Sequence, residues 1–149
     1  GFDGALRDGQ LVVARAIADE VLSVFARLFD AGFPLERVAL VDDYGADDDA
    51  SMAANNTSGF NCRTVAGTAR WSEHAYGTAI DVNPVQNPYV RGDEVAPPAG
   101  AAYLDRSDVR PGMAVRPGPL VDAFAEIGWS WGGDWQASRD YQHFSASGR

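Results

Sequence analysis

Seven of the eight prolines fall between positions 84 and 119. Proline has no amide N–H and its ring clashes with a preceding helical turn. A stretch holding Pro84, Pro88, Pro97, Pro98, Pro111, Pro117 and Pro119 therefore runs neither as one long helix nor as central strands. Residues 84–118 read as a long irregular excursion, and loops of that length inside a folded unit usually carry function or move. With sixteen glycines as well, many loops and little regular structure are expected.

The regular elements must come from the flanks. Val13, Ile17, Val21, Val24 and Leu28 recur at helical spacing with Phe25 and Phe29 beside them, which predicts an amphipathic helix over 8–31. Asp8 is its expected N-cap, and Gly32 followed by Pro34 its stop. Strands are expected at 37–41, 62–65, 79–82, 129–131 and 140–144, the third entered from a turn at Gly77. A second helix is expected over 120–127, opened by Pro119 and closed by Gly128. The acidic run 42–49 does not match the EF-hand spacing and reads as a solvated loop rather than a calcium site. Residues 51–61, with Asn55-Asn56-Thr57-Ser58-Gly59, have loop composition.

A length of 149 residues suits one domain, 1–149, large enough to bury a core without disulfides. The lone Cys62 allows no intrachain disulfide. A net charge of −9 argues against nucleic acid and against anionic lipid, both of which need a basic face. No apolar run approaches the length of a membrane span. The opening Gly1-Phe2-Asp3-Gly4 lacks the basic start and apolar stretch of a signal peptide.

Chemistry concentrates around the only two histidines, His74 and His143. Imidazole and carboxylate suit a borderline cation such as zinc, and a catalytic zinc site keeps three protein ligands and one open position. His74, Asp81 and His143 make such a set if they meet. Gly77 allows a turn between His74 and the strand bearing Asp81, on which Ala79, Asp81 and Asn83 share a face. A strand at 140–144 lying alongside would present His143. A lone histidine reads as a surface or core residue; the pair in this Gly/Asp pattern reads as ligands.

The string Ser72-x-His74-x-x-Gly77-x-Ala79-x-Asp81, followed by Asp140-x-x-His143, resembles the zinc peptidases of the D-alanyl-D-alanine carboxypeptidase and L-alanyl-D-glutamate endopeptidase family, the VanY/VanX-like group. The resemblance extends, less sharply, from Phe60 to Phe144. It implies an α+β fold of the hedgehog/D-Ala-D-Ala peptidase kind, a small antiparallel sheet carrying the zinc site with helices packed on one side. It implies Zn2+ on His74, Asp81 and His143, and Asp140 as catalytic base where many members have Glu. Gln142 stands where many have Trp. An upstream arginine steadies the carbonyl oxygen in that family; Arg63 is the candidate, with Arg70 second and open to a plain surface reading. Ser72 is a candidate for bonding substrate or a ligand. Glu73 is the rival carboxylate, but in an extended segment it points away from its neighbour's face. Trp71, Trp129, Trp131 and Trp135 read as cleft or core. Cys62 reads as a small buried residue, since no third histidine serves it as base.

The resemblance further implies peptidoglycan stem peptides as substrate, cut as a carboxypeptidase, and an extracellular or cell-envelope location with the signal or anchor absent from this chain. A monomer is expected. The alternatives are an L-alanyl-D-glutamate-type endopeptidase, a non-catalytic zinc-containing cell-wall binding module, and a purely structural zinc domain.

Overall fold

The structure, a computed structural model, describes residues 1–148. Helix α1 spans Ala18–Asp30 after one 3-10 turn at Arg15–Ile17. Val21, Val24 and Leu28 of the expected stripe are buried, whereas Phe29 is exposed. The helix does not begin at Asp8. Three bonds to distant backbone hold the preceding residues extended: Gln10 N–H to the Val38 carbonyl, Phe60 N–H to that of Val12, and Ala14 N–H to that of Gly77, at 2.8–2.9 Å. Amides engaged in this way are not free for helical bonding. The stop is as expected, with the Phe33 N–H reaching back to the Leu28 carbonyl past Gly32.

The expected strand at 37–41 is shortened to β1, Arg37–Val38, because Val41–Tyr44 coils into a 3-10 turn. It pairs in parallel with β2, Asn56–Thr57. The acidic run is not simply a solvated loop. Asp47 accepts from the Ala50 N–H and so caps α2, Asp48–Ala53, which takes the end of the acidic run and the first three residues of the stretch 51–61 expected as loop. No strand forms at 62–65; only an isolated bridge joins Thr64 to Trp71.

Two antiparallel sheets carry the rest. The first has β3 (Ala79–Asp81), β8 (His143–Ser145) and β6 (Ser130–Trp131) in that order. The second has β5 (Glu94–Ala96), β4 (Tyr89–Arg91) and β7 (Arg139–Asp140). The excursion 84–118 thus contains a hairpin, signalled by Gly92-Asp93 between Tyr89-Val90 and Val95. The expected strand 140–144 is split between the sheets. Tyr141 bonds back to the Pro88 carbonyl while the Gln142 carbonyl accepts from Val82, so the chain changes sheets there.

Register explains the core. Ile80, Phe144 and Trp131 are cross-strand partners in the first sheet and are all buried. They pack in one apolar cluster with Val21, Val24 and Leu28 of α1 and with Leu120, Val121 and Phe124 of α3, Pro119–Glu126. Phe124 stacks on Phe144 at 4.2 Å between ring centroids. The architecture is α+β with small antiparallel sheets; α1 and α3 lie on the face that Ile80 and Phe144 present, whereas α2, against the expectation of helices on one side only, borders the opposite face. Asn83, expected on the face of Asp81, lies past the strand in a left-handed conformation and donates to the Pro34 and Gly112 carbonyls.

Candidate metal centre

Side chains alternate across a strand, so the pair next to Ile80 and Phe144 faces the other way. That pair is Asp81 and His143, which are register partners in β3 and β8. Sheet pairing therefore sets two of the three candidate ligands side by side. Their carboxylate Oδ1 and imidazole Nδ1 lie 3.1 Å apart.

His74 comes from a 3-10 turn, Glu73–Tyr76. Ser72 caps it, its Oγ accepting from the His74 N–H at 3.3 Å. Gly77 closes it at φ 66°, and a Cβ there would lie 2.7 Å from the Ala14 nitrogen, so glycine is required twice over. The imidazole Nδ1 lies 2.7 Å from the Gly59 carbonyl, which can only accept. Nδ1 therefore carries the proton and Nε2 its lone pair. Nε2 sits 3.2 Å from Asp81 Oδ2 and 3.2 Å from His143 Nδ1.

These three donors fit zinc. They are two nitrogens and one oxygen, buried at 2%, 5% and 5% exposure for His74, Asp81 and His143. Ligands about 2.0–2.1 Å from a tetrahedral zinc stand about 3.3 Å from one another, close to the spacing seen. Burial alone would raise the Asp81 carboxyl. The adjacent imidazoles of His74 and His143 outweigh it and hold the group well below the usual carboxylate range.

The centre lies in a cleft of about 580 Å³ that also takes in Asp140, Arg63, Ser72 and Arg70. Asp140 is in β7, paired with Tyr89. Gly132 packs against it so closely that a Cβ would lie 2.6 Å from its carbonyl oxygen and 3.2 Å from the His143 Cβ. Burial foremost, and then the Asp81 carboxylate, push the Asp140 carboxyl up to about 7. Among the described residues its buried Oδ1 has no hydrogen-bond partner. Glu73 is turned to Thr78, whose Oγ1 donates to its Oε2 at 2.9 Å.

The aromatic residues divide. Trp129 and Trp131 are core, while Trp71 is 51% exposed in the cleft wall and Trp135 lies with its ring 5.3 Å from that of His143. Cys62 is exposed, contrary to the buried reading, because residues 62–65 form no strand that would carry it inward.

The cleft also holds residues that sequence reasoning missed. Asp48 of α2 meets the Arg63 Nε at 3.0 Å, with burial raising its carboxyl against the pull of that cation. The Asn61 amide donates to Asp48 Oδ1 at 2.9 Å. Gln142 is buried, its Nε2 reaching the Met52 sulfur at 3.6 Å. Tyr89, Arg91 and Glu94 line the wall from the hairpin. The hairpin turn was a readable signal; nothing in the acidic run distinguished Asp48 from its neighbours.

A family model described as D-alanyl-D-alanine carboxypeptidase matches residues 66–146. The match takes in His74, Asp81, Asp140 and His143 and leaves Arg63 and Asp48 outside it. Comparison with curated proteins and with solved structures gives no match.

Proposed function

The chain belongs to the D-alanyl-D-alanine carboxypeptidase family, and from that premise we propose that it is a zinc peptidase that removes C-terminal residues from peptidoglycan stem peptides outside the cytoplasm. The observation that carries the zinc reading is the convergence of His74 Nε2, the Asp81 carboxylate and His143 Nδ1 at 3.1–3.2 Å inside the cleft.

Zinc held by these residues supplies a Lewis acid and lowers the pKa of a water toward about 7. The remaining steps belong to the chain. Asp140, near neutrality and with one oxygen unengaged, takes a proton from the attacking water and returns it to the leaving amine. An exposed aspartate near 3.8 would be a poor carrier for the second transfer; burial and Asp81 remove that difficulty. Arg63 donates to the substrate carbonyl oxygen as negative charge develops there. Gly59 keeps His74 in the tautomer that offers Nε2, and Ser72 holds the turn that aims it.

Arg70 and Arg91 line the cleft, and neither meets a carboxylate within ion-pair distance among the described residues. A terminal carboxylate is the group that such cations fit, which favours a carboxypeptidase over an endopeptidase. The decisive experiment incubates the zinc-loaded protein with a stem pentapeptide ending in D-Ala-D-Ala and with one amidated at its C-terminus. Release of D-alanine from the first alone supports the proposal. Internal cleavage of both supports an endopeptidase, and zinc binding without cleavage supports a binding module.

A further inference from the structure

Of the six carboxylates that line the cleft, Asp81, Asp140 and Asp48 have their oxygens engaged differently. Asp81 turns both oxygens to His74 and His143. Asp140 leaves Oδ1 without a hydrogen-bond partner among the described residues. Asp48 is committed on both sides, with Oδ1 accepting from the Asn61 amide and Oδ2 against the Arg63 Nε. With both oxygens occupied, Asp48 is neither an additional metal ligand nor a rival base.

We infer that Asp48 is a positioning residue for Arg63, its carboxylate pairing by charge with the guanidinium beside Nε and leaving the terminal nitrogens for the substrate carbonyl. The inference rests on the reading of Arg63 as the oxyanion donor. Among the described residues the Arg63 side chain makes no hydrogen bond, and its buried Nε lies 3.0 Å from Asp48 Oδ2 in an ion pair that is not aligned as a hydrogen bond. The pair is itself held. Asn61 is buried, and its backbone N–H donates to the His74 carbonyl at 3.1 Å. One short chain of contacts, His74–Asn61–Asp48–Arg63, therefore ties the arginine to a candidate metal ligand. An arginine left alone must give up rotamer freedom before it meets a developing charge. A donor already oriented gives up less at that moment.

The test has two readouts. The first is the ¹⁵N order parameter of the Arg63 Nε–H in wild type, with exposed Arg70 as reference. A held guanidinium gives a value near the rigid 0.85, Arg70 falls below about 0.6, and Asp48→Asn drops Arg63 to the level of Arg70. Low values for both arginines in wild type, or no change in Asp48→Asn, overturn the inference without any activity measurement. The second is a double-mutant cycle on a stem pentapeptide with zinc content matched. Asp48→Asn should lower kcat by about 10- to 100-fold, with KM changing less, as expected for a misplaced group. In the Arg63→Ala background the same substitution should cost less than about twofold, because Asp48 acts through the residue already removed. Equal losses in both backgrounds overturn the inference while leaving the peptidase reading intact. A zinc-loaded wild type that cleaves nothing sinks the peptidase reading, and the order parameters still decide whether Asp48 holds Arg63.

Discussion

At the scale of single residues, the centre is a division of labour set by surroundings rather than by residue type. Asp81 and Asp140 have the same side chain, yet one is held ionised by two imidazoles and the other is driven toward neutrality by burial and by the first. Replacing His74 or His143 with Ala should abolish stoichiometric zinc, read by elemental analysis of protein purified without added metal; retention of zinc by either variant would remove that histidine from the ligand set. Asp140→Asn should keep the zinc and lose about 10²- to 10⁴-fold in turnover, the usual cost of a general base. The same substitution has an opposite effect on stability. A carboxyl raised from 3.8 to about 7 favours folding while protonated, so its contribution is full below the ordinary value and is lost as pH rises through about 7. In metal-stripped protein Asp140→Asn should therefore raise the urea midpoint over wild type at pH 8 and change it little at pH 4. A gain of equal size at both pH values would trace the effect to packing instead.

At the scale of elements, short strands do the work that their length would not suggest. The three residues of β3 and β8 suffice because register, not extent, puts Asp81 opposite His143 while Ile80 and Phe144 enter the core. The turn bearing His74 depends on Gly77, where φ is positive and the chain passes against Ala14. Gly77→Ala should cost more than about 1 kcal/mol of stability, the penalty of a Cβ in a left-handed conformation with backbone in contact. Zinc affinity should fall with it, because His74 moves with the turn. Urea unfolding and competition with a chromogenic chelator measure the two effects. A variant as stable as wild type would show that the turn tolerates a Cβ. The strand at 79–82, the helix at 120–127 and the end of α1 were legible because period and stop residues acted locally. The start of α1 was not legible. Its apolar stripe continues through Val13, but distant backbone at Val38, Phe60 and Gly77 competes for residues 10–14.

At the scale of the whole molecule, the excursion 84–118 is held rather than loose. Arg106 donates to the carbonyls of Gln86, Tyr103 and Ala114 and to the Asn87 side chain at 2.7–3.1 Å, and its guanidinium lies 4.5 Å from the centre of the Tyr141 ring. Burial lowers its pKa to about 10, so it stays charged at neutral pH. This one side chain pins the excursion next to the segment leading from Asp140 to His143. Arg106→Ala should destabilise the fold by about 2–4 kcal/mol, since several carbonyls lose a charged donor together. Arg106→Lys should restore only part, because an ammonium cannot reproduce the fork. Urea denaturation gives both values, and a loss below 0.5 kcal/mol for Arg106→Ala would show that the excursion is held by other contacts.

What the sequence determined by itself was the composition of the centre. Two histidines and the Ser72 to Asp81 spacing restrict the ligand candidates, because donor chemistry and local turns are properties of neighbouring residues. The α+β class was implied by the resemblance that the Ser72 to Asp81 string carries, not by the pattern of apolar runs. Tertiary structure alone decided that Asp140 and His143 lie on different sheets, that Asp48 turns from an acidic run toward Arg63, and that the carboxyl of Asp140 is raised. Each of these depends on groups far apart in the chain, on burial and on charges that meet only after folding, and such quantities have no counterpart in local spacing.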